Sequence, residues 1–292
     1  MINRFSDQTA IGIITCNRPD YVKQVLESLD PMVGTVFLIN AGEPLQKEVI
    51  SSFNGNDLVV IDASGPKPVA VGRAKNQVMR KMRHAGYEYL FLIEDDVRIK
   101  DNKVFEKYVE TAAETGLWAG QLSYGTHGGT TGGNVNADGT SKVKDTVDYD
   151  HCSIDLYGQS FQAFTLYHAN VIKILGYFDE YYVNAAEHLD HYYNAFIKGL
   201  GSYFWYFPDI ENSSQYLEDI DDGHTGSVIR KSPEWRENMQ RAWGWFRKKW
   251  HYFPDKIPPS PQEQVLERLN FIEENYSRKD LLKDEKSDEQ TE

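Results

Sequence analysis

Tyr89-Leu90-Phe91-Leu92-Ile93-Glu94-Asp95-Asp96-Val97 decides how the rest of this 292-residue chain is read. The uninterrupted apolar run predicts a strand in the interior of a sheet. The acids that follow at once put negative charge at that strand's C-terminal end. Three adjacent carboxylates repel one another, so the chain must offset them. A divalent cation held by hard oxygen ligands is the usual compensation, with phosphates beside it. Taken alone, the string also fits a strand that ends at a solvated acidic turn.

Working outward, strands alternate with helices through the first half. Strands are predicted over 10–15, 35–40 and 57–62 and helices over 20–29 (led in by Pro19), 43–53 and 71–85. Strands separated by helices predict parallel pairing with helices on both faces, and ligands at the C-terminal strand ends. Between 116 and 150 the character changes. Gly125-Thr126-His127-Gly128-Gly129-Thr130-Thr131-Gly132-Gly133 cannot build a core and predicts a long mobile loop, beside the site or as a plain connector. Further strands are expected over 160–169 and 202–207, the latter stopped by Pro208. Helices are expected over 171–175 and 186–198. An amphipathic helix over 233–250 carries Trp235, Met239, Trp243, Phe246 and Trp250 along one stripe. A proline-rich brace at 258–261, a last helix over 263–274 and a charged tail expected to be disordered complete the chain.

Bulk composition narrows the classes. The net charge of −13 argues against a general nucleic-acid binder, because the phosphate backbone rewards positive charge. Cys16 and Cys152 alone imply no disulfide framework and suit a reducing compartment. The N-terminal residues lack a signal peptide's apolar core, and no apolar run is long enough to span a bilayer, so a cytoplasmic location is expected.

The order of motifs is more telling than any one of them. Ile13-Ile14-Thr15-Cys16-Asn17-Arg18-Pro19 follows the first strand, and Gly72-Arg73-Ala74-Lys75-Asn76-Gln77 opens a helix. The acidic triad comes next, then Gly176-Tyr177-Phe178-Asp179-Glu180, then Glu187-His188-Leu189-Asp190. This succession resembles the family 2 glycosyltransferases of the GT-A fold, over roughly residues 10–230. Their pattern runs strand–T-x-N-R-P, an A-R-N-type helix start, a D-x-D-type triad, G-x-F-D-E and an E-D-x-D-like segment.

The resemblance implies an α/β, Rossmann-like GT-A domain over 1–230, with a mixed, mostly parallel sheet flanked by helices. A C-terminal helical extension over 231–275 would pack on it, with a charged tail at 276–292. It also implies transfer of a sugar from a nucleotide-diphosphate sugar to an acceptor hydroxyl, with inversion. In that reading Asp96 binds Mn²⁺ or Mg²⁺, assisted by Asp95 or Glu94, and His224 completes the metal shell. The first triad position holds Glu94 where relatives often have Asp. Thr15, Asn17 and Arg18 hold the base and ribose, and Asn40 stands where many relatives carry a base-reading acid. A UDP-sugar is the common donor, but an amide at Asn40 leaves another base open. Arg73, Lys75 and Asn76 meet phosphates or sugar at a helix N-terminus, or form a solvated helix face. The general base comes from Asp190 or Glu187, three apart on one helix face, with Asp190 favoured. His188 replaces the usual acid between them and is a third candidate.

The acceptor stays open among saccharide, glycolipid, protein and modified nucleic acid. A nucleotidyltransferase is the weaker enzymatic alternative, since no glycine-rich basic loop follows the first strand. A non-catalytic nucleotide- or sugar-binding protein on a transferase fold is the alternative from another class. The tryptophans and cations of 233–250 either pack on the main domain or grip an anionic partner.

Overall fold

The computed structural model describes residues 7–55, 57–63, 70–221 and 228–278. Its strands are β1 (Thr9–Thr15), β2 (Thr35–Asn40), β3 (Leu58–Asp62), β4 (Tyr89–Glu94), β5 (Val97–Ile99) and β6 (Ala119–Ser123). They continue with β7 (Asp145–Asp148), β8 (Ser153–Tyr157), β9 (Phe164–His168), β10 (Phe207–Ile210) and β11 (Leu217–Asp219). The longer helices are α1 (Pro19–Ser28), α2 (Val71–Ala85), α3 (Lys103–Thr115), α4 (Ala169–Leu175), α5 (Glu187–Ile197), α6 (Trp235–Trp250) and α7 (Gln262–Tyr276).

The main sheet has the order β3-β2-β1-β4-β9-β6. β1 pairs in parallel with both β2 and β4, and β3 continues the parallel edge. β9 runs antiparallel to β4 and β6, so the sheet is mixed but mostly parallel. Continuous apolar runs in β1 and β4 follow from their place at its centre, where both faces are covered. One face packs on α1, α3 and α7 through Val22, Leu26, Phe105, Tyr108, Val265 and Leu269. The other packs on α2 through Ala74, Val78 and Met82. Gly12 lets α2 approach β1 closely, since a Cβ there would stand 2.4 Å from Val78 Cγ1. A small antiparallel sheet β10-β8-β7 and the ribbon β11-β5 flank the acidic edge.

Several elements differ from the sequence expectation. The glycine-rich stretch is not a free loop. Residues 121–128 are buried, and residues 129–132 form one helical turn. Gly125 N donates to Asp209 and Gly128 N to Asp219, both at 2.8 Å, so backbone-to-carboxylate bonds replace the missing apolar side chains. Only Lys47–Ile50 of the expected 43–53 helix forms. The aromatic strand expected over 202–207 lies instead at Phe207–Ile210, with Pro208 inside it; β10 is an edge strand, where a missing N–H is tolerated. α3, β5, β6, β7, β8 and β11 are additional elements. The tail from 279 onward lies outside the described residues.

Candidate active site

The register of β4 against β1 delivers the acids to one corner. Ile14 pairs with Glu94 and Ile13 with Ile93, so the turns after both strands meet at the C-terminal edge of the sheet. There Thr15 Oγ1 donates to Asp95 Oδ2 at 2.6 Å. Arg18, entering α1 just before Pro19, donates through Nε to Asp95 Oδ1 at 3.0 Å, and its Nη2 reaches both Asp95 and Asp96, the latter at 2.8 Å. Burial raises the carboxyl of Asp95 above its ordinary range, against the pull of Arg18 and with the charge of Asp96 adding to the rise. Burial likewise raises Asp96, with His127 and Arg18 opposing. Asp96 Oδ1 is buried and has no hydrogen-bond partner among the described residues. An orphaned carboxylate oxygen inside an acidic corner points to a ligand that is itself positive or protonated.

Lys75 is the second internal cation. It lies at the start of the second turn of α2, is 1% exposed, and reaches Glu94 Oε1 at 3.0 Å and Glu187 Oε1 at 3.6 Å. Burial works against its charge, but those two carboxylates outweigh burial and raise its pKa. Glu187 opens α5 after Ala186, which holds a left-handed φ of 61°. Burial pushes its carboxyl up, yet His188 and Lys75 hold it down at about 2. Glu187 is therefore ionised at neutral pH, with Lys75 joining it to the acidic triad.

The remaining expected residues divide by geometry. Asn17 adopts φ 56° and its Oδ1 accepts from Glu43 N at 2.7 Å, which ties the turn after β1 to the turn after β2. Asn40 is buried, with its amide engaged by Glu43 O at 2.7 Å and by Gly42 N at 3.2 Å. Its side chain shapes that turn. Asn76 clips the loop before Tyr181, donating to Phe178 O at 2.9 Å and accepting from Phe178 N at 2.8 Å. Arg73 is exposed and lies 3.8 Å from Glu180. Asp190 pairs with none of the triad's cations among the described residues. It accepts from Tyr182 Oη at 3.0 Å, Lys249 Nζ at 2.8 Å and Trp250 Nε1 at 2.7 Å. His188 Nδ1 stands 3.7 Å from Glu187 Oε1. His224 lies outside the described residues.

Two residues join the site without a sequence signal of their own. His127 Nδ1 pairs with Asp219 Oδ1 at 2.6 Å. Burial lowers its basicity, but Asp219 and Asp96 raise it to about 9, so it is protonated near neutrality. The two are 92 positions apart, and only the packing of β11 beside the glycine turn brings them together.

Among the described residues no group of three or more His, Cys, Asp or Glu side chains is placed to hold a metal ion. The donor set still suits a hard divalent cation of the kind bound through one or two carboxylates plus phosphates and water. Asp96 offers its orphaned oxygen, and Glu94, partly exposed, stands at the mouth.

No protein-family model matches the sequence. A sequence search of characterised proteins finds no match either. The fold has counterparts among solved structures. The mannosyltransferase PcManGT from Pyrobaculum calidifontis, in complex with GDP-Man and Mn²⁺, aligns over 91% of this chain and 69% of its own, with TM-score 0.51 and 12% identity. S. aureus TarS 1-349 in complex with UDP-GlcNAc aligns over 91% of this chain and 80% of its own, with TM-score 0.47 and 13% identity. Against a longer S. aureus TarS structure, at TM-score 0.44 and 14% identity, 65% of this chain is matched and only 33% of that protein's length. The chain has a GT-A glycosyltransferase fold.

Proposed function

We propose that this protein is a glycosyltransferase that moves a sugar from a nucleotide-diphosphate sugar to an acceptor hydroxyl, with inversion and with Mn²⁺ or Mg²⁺ at Asp96. The observation that carries the reading is the buried corner where Arg18, Lys75, Glu94, Asp95, Asp96 and Glu187 meet, with Asp96 Oδ1 unpartnered. The ligand named for the mannosyltransferase neighbour, GDP-Man, supports the donor class.

In this reading the turn after β1, with Thr15, Asn17 and Arg18, and the turn shaped by Asn40 receive the nucleotide. Arg18, Lys75 and Arg73 draw in the diphosphate, which replaces part of their internal pairing with Asp95, Asp96 and Glu94. Asn76 of α2 fixes the loop at Phe178, before α5, against which the sugar rests. Asp96, with Glu94 and with His224 as a further ligand, would hold the metal, which supplies Lewis-acid neutralisation of the departing diphosphate. Glu187 serves as general base. Its charge is maintained by Lys75, and drawing Lys75 toward the diphosphate raises its proton affinity at the moment the acceptor must be deprotonated. Asp190, held by three donors, anchors the helix that carries Glu187.

Calorimetric titration of UDP, GDP, dTDP and CDP, each with and without Mn²⁺, tests the reading on wild type and Asp96→Asn. One nucleotide is expected to bind in a metal-dependent way, with at least about tenfold loss in the variant. Binding indifferent to both metal and Asp96, or no binding at all, moves the weight to a non-catalytic protein on the same fold.

A further inference from the structure

Residues 230–250 carry seven Lys and Arg against two carboxylates, in a chain whose net charge is −13. Packing engages several of these cations, among them Arg247, whose guanidinium lies 5.0 Å from the Phe253 ring centre. Lys249 is drawn inward to Asp179 at 3.2 Å and Asp190 at 2.8 Å. Arg241 and Lys248 are exposed, and neither forms an ion pair among the described residues. At i, i+4 and i+7, Arg241, Trp245 and Lys248 share one stripe of α6. Trp245 in the middle is fixed. Its Nε1 donates to Asp179 Oδ2 at 3.0 Å, and its ring stacks on Tyr181 with centroids 4.2 Å apart and planes 28° from parallel. Lys248 Nζ lies 5.2 Å from the Trp245 ring centre, and Tyr181 is 48% exposed.

The stack joins the active site through a short stretch of chain. Glu180, beside Tyr181, takes Arg80 at 3.1 Å and Arg73 at 3.8 Å from α2, the helix whose Lys75 holds Glu94 and Glu187. At its other end this basic segment begins with Arg230, which feels the charges of Glu94 and Asp96. An aromatic ledge flanked by cations thus lies on α6, the helix that Lys249 ties to Asp190 of α5, and α5 also carries Glu187.

We propose that Tyr181 and Trp245, with Arg241 and Lys248, form the acceptor ledge, and that the acceptor is a saccharide carrying negatively charged substituents, phosphate or carboxylate. This rests on the sugar-transfer reading above. A pre-stacked, anchored aromatic pair offers a flat face to the C–H side of a sugar ring at little entropic cost, and flanking cations select an anionic ring over a neutral one. A long nucleic acid is disfavoured, because the remainder of the surface repels a polyanion once it extends beyond these few side chains.

The test is calorimetry with four probes on the full chain. These are an oligosaccharide carrying a carboxylate on alternate sugars, the same chain with its carboxylates reduced to alcohols, an oligosaccharide bearing phosphate monoesters, and a short DNA duplex. The variants are Tyr181→Ala and the pair Arg241→Gln with Lys248→Gln. Metal-dependent nucleoside diphosphate binding and circular dichroism serve as controls for an intact donor site and fold. Either anionic saccharide is expected to bind in a salt-dependent way, and the one that binds names the charged group. Each variant should weaken it at least about fivefold while nucleotide binding is unchanged. Equal binding of the reduced oligosaccharide, tighter binding of DNA, or unchanged affinity in both variants overturns the proposal. So does the failure of both anionic saccharides to bind a protein that binds nucleotide. Anionic saccharide binding without any nucleotide binding leaves the ledge standing and overturns the sugar-transfer reading instead.

Discussion

Glu187 and Asp190 sit three positions apart on one helix, and their surroundings separate them. Glu187 is buried between Lys75 and His188, within reach of the acidic corner. Asp190 is raised by burial and saturated by Tyr182, Lys249 and Trp250. A general base must reach the acceptor proton, and a carboxylate already accepting from three fixed donors is poorly placed to do so. Glu187→Gln is therefore expected to lower kcat by about 10²–10⁴-fold with little change in nucleotide affinity. His188→Ala is expected to cost much less. Asp190→Asn should act chiefly on stability. Hydrolysis or transfer assays on the three variants, with nucleotide titrations alongside, decide this. A larger kcat loss in His188→Ala than in Glu187→Gln reassigns the base to the imidazole. Spacing alone shows that Glu187 and Asp190 share a face; it does not show which of them a distant lysine and tryptophan will occupy.

At the scale of elements, the occupant of Asp190 is α6. Phe246 and Ala242 bury against Tyr192 and Tyr193 of α5, and Lys249 bridges Asp179 and Asp190. The helix at the C-terminal side is thereby locked to the helix that carries the proposed base. Asp190 is buried but Lys249 is 30% exposed, and Trp250 and Tyr182 still donate to Asp190, so Lys249→Met is expected to cost about 1–2 kcal/mol. Adding Asp190→Asn should return part of that loss. Urea unfolding of the two single variants and the double variant measures it, and strictly additive losses would show that the bridge has no coupling. The amphipathic pattern of α6 was legible in the sequence, as were β1, β2 and β4, because a buried run or stripe states its own period. β6 and β7 were not. Ala-Gly-Gln-Leu-Ser and Asp-Thr-Val-Asp are short and half polar, and pairing partners rather than apolar content hold them in place. The glycine turn at 125–133 misled for a related reason. Its order comes from Asp209 and Asp219, more than eighty positions downstream of the residues they hold.

On the scale of the whole molecule, those two aspartates link the small sheet and the ribbon to the main domain, and Asp209, together with Asp95 and with the His127 that Asp219 holds, sets how the fold responds to pH. Asp209 is fully buried and accepts from Tyr108 of α3, from Ser213 and from the backbone of Gly125 and Ile210. Burial outweighs these bonds and raises its carboxyl from 3.8 to about 7. Across that interval the folded state keeps a proton that the unfolded chain has released, so stability falls as pH rises from about 4 to 7. His127, raised from 6.5 to about 9 by its pairing with Asp219, acts in the same direction over the next interval. Glu187 acts oppositely. Its carboxyl is depressed from 4.5 to about 2, so its contribution is present above 4.5 and is lost as pH falls toward 2. Self-repulsion of a chain with net charge −13 at pH 7 adds to the alkaline fall. The melting temperature of the ligand-free protein is expected to peak near pH 5, on the acid side of neutrality, and to decline through pH 9. Asp209→Asn separates the local cause from the general repulsion. It should make the decline between about pH 4 and 7 shallower, with Asp95, raised by burial over the same interval, keeping the rest, and leave the limb above 7 in place. A wild-type melting temperature that rises from pH 5 to 8 would contradict the proton held at Asp209, and with it the account of how the buried glycine turn is fastened beside the acids.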